Sequence, residues 1–137
     1  MALNAEEPDE MIAAPRRHGV TLCVCHNQLY DPAVTRARDL VAQDTIGKVV
    51  AVETFWGTLH SRLIREYRNA QWLYDLPGGI FHEIGPHIVY LQMQFLKNME
   101  VVSAIAKSMG KILPVDDELR VLFDGESGLG SLSFSVN

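Results

Sequence analysis

The chain has few cysteines and few basic residues, and it has no long apolar run. Of its 137 residues only two are cysteine, and 12 Lys and Arg stand against 17 Asp and Glu, so the formal net charge is −5. A net-negative chain without a basic cluster lacks the footprint of a nucleic-acid-binding protein. Since no apolar run approaches the ~18 residues that a membrane span needs, we expect no membrane segment.

The two cysteines, Cys23 and Cys25, lie two positions apart. On a strand, residues at this spacing project from the same face and are poorly placed to form a disulfide bond. We therefore expect no disulfide scaffold and a reducing, cytoplasmic setting. The amino-terminal residues have neither a basic region nor an apolar core, so we also expect no signal peptide.

A glycine fingerprint for dinucleotide binding is missing as well. No G-x-G-x-x-G motif follows a predicted strand and opens a helix. Gly125, Gly128 and Gly130 come nearest, but they lie in a predicted hairpin and precede a strand. We therefore predict a turn at these glycines and no cofactor-binding residue in this chain.

Residues 1–27 predict a helix followed by a strand. Asn4 is a suitable N-cap, Glu7 follows in capping-box register and Gly19 is a suitable stop, although Pro15 should kink or shorten the helix. Residues 20–26 carry apolar or small side chains on both faces, which is typical of a strand covered on both sides in a parallel α/β sheet. This segment therefore predicts half of an α/β repeat.

Residues 28–137 predict an α+β domain. Asp31 and Pro32 begin a helix that extends to about Gln43, and Gly78-Gly79 leads into another that ends near Phe95 or Leu96. Strands are predicted over residues 49–56, 101–107, 118–123 and 128–136, with a hairpin turn at 124–127. The fold class is thus an open, mostly antiparallel sheet packed on helices, with an unpaired edge.

Two apolar patterns predict the core of this domain. In the last strand every second residue is apolar and the intervening residues are serine, so one face should be buried; the apolar positions are Leu132, Phe134 and Val136. The helix after the glycine pair has apolar residues at helical spacing, which should face the sheet: Ile80, Ile84, Ile88, Leu91 and Phe95. Residues 57–77, in contrast, predict a long irregular segment, which in a compact domain is usually functional or mobile.

The stretch from Gly78 to His87 has the strongest chemical signal. Glu83 and His87 are four positions apart on the predicted helix and share a face, which Tyr90 extends. A carboxylate beside an imidazole can orient the ring and raise its basicity, as acid–base chemistry requires. The glycine pair, Gly78 and Gly79, allows a sharp turn and the close approach of a ligand.

Two further residues are candidates for substrate binding, and other interpretations of the helix stay open. Trp72 lies close to the glycine pair, and Asn27 follows the predicted buried strand, at whose carboxyl end α/β proteins bind ligands. The Glu83–His87 pair could instead be a surface salt bridge or a satisfied core histidine. A metal site from these two residues with His82 and His60 is a further alternative, but the histidine spacing differs from that of zinc proteases.

The order of these features resembles the glucose–fructose oxidoreductase/inositol dehydrogenase (Gfo/Idh/MocA) family of NAD(P)-dependent enzymes. The matching stretches are Met1-Ala2-Leu3-Asn4, Cys25-His26-Asn27, Tyr30-Asp31-Pro32, Ile46-Gly47-Lys48-Val49 and Pro77-Gly78-Gly79 through to His87. The resemblance implies that His87 is the active-site histidine and that Glu83 replaces the usual aspartate. It also implies a catalytic lysine in a Glu-Lys-Pro motif, which in the family lies just before the segment that matches Met1-Ala2-Leu3.

The resemblance implies a division of the chain and a function. Residues 1–27 correspond to the residual helix and strand of a Rossmann-type domain, and residues 28–137 to a substrate and oligomerisation domain that ends early. We expect part of an oxidoreductase that acts on a sugar or cyclitol with NAD or NADP, inactive alone, and a homo-oligomer through its open sheet. The alternatives are a stand-alone module for ligand binding or dimerisation, and a metal-dependent lyase or isomerase.

Overall fold

The computed structural model describes residues 2–4, 6–59, 72, 75–109 and 115–136. Within these residues lie three α-helices, one short 3₁₀ helix at Asn27–Tyr30 and one four-stranded sheet. The helices are α1 (Glu6–His18), α2 (Pro32–Ala42) and α3 (Ile80–Gln92), and the strands are β1 (Ala51–Thr58), β2 (Glu100–Lys107), β3 (Glu118–Gly125) and β4 (Gly128–Val136). The predicted α+β class is confirmed.

Helix α1 has the caps that the sequence predicts at both ends. The Asn4 side chain accepts hydrogen bonds from the backbone N–H groups of Glu6 and Glu7, at 3.0 and 2.9 Å. At the other end Gly19 has a φ of +63°, and the N–H of Val20 donates to the carbonyl of Pro15, as in a Schellman motif. Pro15 does not shorten the helix, which extends to His18. The proline removes one backbone hydrogen bond, and this bond lies in the last turns of a helix that has no buried residue.

The predicted strand over residues 20–26 is wrong. These residues have no strand assignment, and Val20, Leu22 and Val24 are 64%, 48% and 66% exposed. A strand is defined by hydrogen bonds to a neighbour, and no strand in the described part of the chain pairs with this segment. The side-chain pattern therefore indicates a strand, but the partners that would make it one are not among these residues.

Helix α2 begins as predicted. The Asp31 side chain accepts from the N–H of Ala33 at 2.8 Å, and Pro32 occupies the first helical position. The turn after the helix contains Asp44 and Gly47, whose φ values are +55° and +75°. None of the helices in the described ranges has the length and apolar character that crossing a bilayer requires.

The sheet is open and mixed, with the strand order β1-β4-β3-β2. The pairs β2–β3 and β3–β4 are antiparallel, and β3 and β4 form the predicted hairpin, closed by a pair between Gly125 and Gly128. The glycine-rich stretch is thus a turn between strands, as expected. Strand β1 adds to β4 in parallel, with Ala51 opposite Leu129 and Thr58 opposite Val136.

Helix α3 covers one face of the sheet and forms the core with it. The alternation in β4 is confirmed, since Leu132, Phe134 and Val136 are at most 3% exposed. From the helix, Ile80 and Ile88 are buried as predicted. The other predicted core residues, Ile84, Leu91 and Phe95, are only half-buried, and Leu96, just after the helix, is buried. The Phe134 ring lies against Trp56 and Phe81, with ring centroids 4.3 and 4.7 Å apart.

A buried amide connects α3 to the sheet at the end of this core. Gln92 is 1% exposed, and its Nε2 donates to the Thr54 hydroxyl at 2.9 Å and to the Ser131 carbonyl at 2.6 Å. Gly130 leaves the space for it, because a Cβ there would lie 2.8 Å from the Gln92 Oε1 atom. Hydrogen bonds of this kind fix the register of a helix on a sheet, which apolar contacts alone do not.

The other face of the sheet, here called the open face, is bare in the described part of the chain. Four apolar residues on it are between 42% and 73% exposed: Phe55, Ile105, Leu122 and Leu129. Between them lies a polar group in which Arg120 pairs with Glu118 at 2.8 Å. Exposed apolar surface beside an ordered polar group is typical of a surface that contacts another molecule.

Candidate functional site

The glycine pair positions the amino-terminal end of α3. Gly78 and Gly79 have φ values of +82° and +56°, a conformation that side chains disfavour. Gly79 is also packed, since a Cβ there would lie 3.3 Å from Val115. The turn borders a cavity of about 260 Å³ whose lining is mostly apolar and includes Phe81, Ala106 and Val115. The predicted sharp turn before the helix is therefore present.

Glu83 and His87 lie one turn apart on α3, and both are half-buried. Their side chains are not joined: among the described residues there is no hydrogen bond or ion pair between them. The carboxylate therefore does not orient the imidazole directly in this structure. The two residues share a helix face with Tyr90, and together they form the polar side of the candidate site.

The residue that packs against His87 is His26, which the sequence analysis did not select. The His26 ring stacks on Tyr90 with centroids 4.0 Å apart and an interplanar angle of 16°. It lies edge-on to His87, with centroids 5.6 Å apart. These three rings are called the aromatic cluster below. No spacing rule could reveal it, because His26 and His87 belong to distant segments.

The other predicted site residues lie at different distances from this cluster. Asn27 follows His26 directly and begins the 3₁₀ helix, but its side chain is exposed. Trp72 is 50% exposed. Most of the irregular segment predicted over 57–77, including His60, lies outside the described residues, whereas Gly57 and Thr58 belong to β1.

The His82 ring forms a hydrogen bond to a backbone carbonyl and does not belong to a group of metal ligands in the described residues. Its Nε2 donates to the carbonyl of Ala2 at 2.8 Å, which ties the amino-terminal segment to α3. Within the described ranges no three side chains of His, Cys, Asp or Glu are close enough to hold a metal ion. The alternative of a metal site on this helix therefore has no support from His82.

Two curated relatives resemble the chain along nearly its whole length. Oxidoreductase P35 of Formosa agariphila is 25% identical over 140 residues, which cover 99% of this chain and 44% of the relative. The trans-1,2-dihydrobenzene-1,2-diol dehydrogenase of Sus scrofa is 28% identical over 139 residues, which cover 99% of this chain and 39% of the relative. The chain thus spans less than half the length of these enzymes.

A solved structure has the same fold. The WlbA dehydrogenase of Bordetella pertussis, crystallised with NADH and UDP-GlcNAcA, superimposes with a TM-score of 0.78 at 20% identity. The match covers 98% of this chain and 41% of that enzyme. The model of the GFO/IDH/MocA C-terminal domain matches residues 34–137, which include α3, the glycine pair and the whole sheet. The chain therefore belongs to the GFO/IDH/MocA family, of which it has the C-terminal domain.

Proposed function

We propose that this chain is the substrate-binding part of an NAD(P)-dependent oxidoreductase. The observation that carries the proposal is the polar face of α3, which places Glu83, His87 and Tyr90 together directly after the glycine pair. The family's fold supports it, as does WlbA, a dehydrogenase of the same fold that binds a sugar nucleotide. The ligand is a small polyol or sugar-like molecule, and His87 contacts its reacting oxygen.

The chain is proposed to bind no nicotinamide cofactor by itself. The sequence has no dinucleotide fingerprint, and the nearest glycine pattern, at Gly125, Gly128 and Gly130, lies in the hairpin of β3 and β4 instead of opening a helix. NAD or NADP therefore belongs to a dinucleotide-binding domain, of which residues 1–27 are a remnant beside the substrate domain 28–137. Without that domain the chain is expected to be inactive, in the cytoplasmic setting that its cysteine content predicts.

Ligand titration of the isotope-labelled chain tests this function. The probes are myo-inositol, D-glucose, UDP-GlcNAcA and NADH, and the readout is the shift of backbone amide NMR signals. We expect saturable shifts of α3 signals with at least one of the first three probes and none with NADH. Removing a hydrogen bond at His87 should weaken binding about tenfold, which corresponds to ~1.4 kcal/mol.

Three variants make this experiment specific. His87→Gln and Glu83→Gln remove the proposed contacts, and His18→Gln is the matched control because His18 is an exposed histidine at the end of α1. The proposal is contradicted if none of the sugar probes shifts α3 signals, if NADH binds saturably, or if His87→Gln and His18→Gln have the same affinity.

The open face of the sheet favours a second function, dimerisation. Phe55 is 73% exposed on this face, on the edge strand β1, and Ser133 of β4 separates it from Arg120, the partner of Glu118. We propose that two copies of the chain bury their open faces against each other. Light scattering after size-exclusion chromatography should show a dimer. The Phe55→Asp variant should be a monomer, because the dimer interface would bury an unpaired carboxylate.

The matched control for dimerisation is Ile46→Asp. Ile46 is 64% exposed, but it lies in the turn after α2 and not on the open face. This variant should remain a dimer. A monomeric wild-type chain, or a Phe55→Asp variant that is still dimeric, contradicts the proposed interface.

A further inference from the structure

The aromatic cluster contains two imidazole nitrogens whose surroundings restrict where their protons can be. The Nδ1 atoms of His26 and His87 are both buried, and neither has a hydrogen-bond partner among the described residues. The Nε2 atoms of the two rings are not buried in this way. Each histidine of the cluster thus has one nitrogen, Nδ1, that is buried without a partner and a second, Nε2, that is not.

A buried Nδ1 atom without a hydrogen-bond partner favours one tautomer of neutral histidine. A neutral imidazole has one N–H donor and one bare acceptor, and either nitrogen can carry the proton. A buried N–H without an acceptor is rarer in proteins than a buried acceptor without a donor, because the unmade donor bond is costly. The favoured tautomer of His87 is therefore the one with the proton on Nε2 and a bare Nδ1.

The described neighbours of His87 offer Nδ1 a ring contact but no hydrogen-bond acceptor. Glu83, one turn away, makes no bond to the ring and so offers no acceptor for an Nδ1–H group. The ring contacts of His87 in the described part of the chain are to His26, which is itself held by its stack on Tyr90. Among the described residues, the neighbour of His87 that can shield Nδ1 is thus the ring of His26 and not a carboxylate.

We propose that His26 is a positioning residue for His87: packed on Tyr90, its ring excludes water from His87 and fixes the tautomer with the proton on Nε2. This inference rests on the proposed function, in which His87 contacts the reacting oxygen of the ligand. It narrows the role of His87 to a hydrogen-bond donor that polarises or orients the reacting oxygen of the ligand. A general base needs a bare nitrogen exposed to the substrate, which this tautomer does not offer.

Histidine side-chain NMR of the intact chain tests the proposal without any assay of activity. Correlation spectra of ¹⁵N-histidine-labelled protein at mildly alkaline pH distinguish a bare ring nitrogen from a protonated one. The loss of signals in His87→Gln assigns the ring. We expect His87 to show a bare Nδ1 and a protonated Nε2.

Two other histidines provide internal references. His82 donates from Nε2 to the Ala2 carbonyl, so it should show the same pattern as His87. His18 is exposed at the end of α1 and should show the averaged pattern of an imidazole in water. A protonated Nδ1 on His87, or an averaged pattern like that of His18, overturns the proposal from the wild-type spectrum alone.

Two substitutions test whether the ring of His26 is responsible. His26→Ala removes the packing, so the His87 signals should move towards the averaged pattern of His18. His26→Phe retains a flat ring on Tyr90 and should restore the wild-type pattern, although it has no nitrogen. Unchanged His87 signals in His26→Ala, or equal changes in both variants, overturn the assignment to His26, whereas failure of the sugar titration would affect only the proposed function.

Discussion

Replacing Phe134 with alanine should lower the free energy of unfolding by about 3–5 kcal/mol, because it opens a cavity at the centre of the core. Phe134 is 0% exposed and lies between the rings of Trp56 and Phe81. A domain of this kind has a total stability of about 5–15 kcal/mol, so the loss is a large part of it. Urea denaturation followed by circular dichroism measures the difference.

The control for this substitution is Tyr30→Ala. Tyr30 is 74% exposed at the end of the 3₁₀ helix, so its removal should change stability by no more than about 0.5 kcal/mol. Equal losses in the two variants would mean that the core does not centre on Phe134.

Replacing Gly128 with alanine should also destabilise the fold, by about 3 kcal/mol, the upper end of the usual range for overpacking. A Cβ at this position would lie 2.2 Å from the carbonyl oxygen of Val50 and 2.5 Å from its carbonyl carbon. Backbone atoms cannot move aside as a side chain can, and the same carbonyl accepts the N–H of Leu129 at 3.1 Å. The substitution therefore separates β1 from β4 at their first pair.

Gly85→Ala is the matched control for this glycine. Gly85 lies within α3, and a Cβ there would meet no atom within 4 Å outside its own helix and its chain neighbours. The next residue, however, is Pro86, whose ring crowds a Cβ on the residue before it in a helix. Alanine in a helix is more favourable than glycine by roughly 0.5–1 kcal/mol, but the crowding against Pro86 opposes this gain. The stability of this variant should therefore differ from that of the wild type by less than about 1 kcal/mol. Thermal or urea unfolding should show a large loss of stability for Gly128→Ala and a small change for Gly85→Ala, and a Gly128→Ala variant as stable as the wild type contradicts the predicted clash.

Features that depend on neighbouring residues could be predicted from the sequence. The caps at Asn4 and Asp31 need only the next two or three residues, and both are confirmed. The burial of Phe134 follows from alternation within its own strand. Each of these signals is local, so the rest of the chain is not needed to interpret it.

Features that depend on contacts between distant residues could not be predicted from the sequence. The pattern of residues 20–26 indicates strand geometry, but a strand forms only when another supplies hydrogen bonds to its edge. The parallel pairing of β1 with β4 likewise joins strands that are far apart in the sequence, and neither strand's own pattern specifies it. For the candidate site, the helix spacing placed Glu83 and His87 on one face, but the contact of His26 with His87 connects two separate segments.

The parallel pair of β1 and β4 also governs the order in which the chain can fold. The β3–β4 hairpin is local and can form as soon as it is synthesised, whereas β1 must wait for β4, the last of the described strands to leave the ribosome. Until then the backbone edge of β1 is unpaired, and the core side of α3 lacks the strand that buries most of it. Between the synthesis of β1 and that of β4 the nascent chain thus exposes an unpaired strand and, once α3 is made, an apolar helix face. In this interval aggregation or chaperone binding competes with folding.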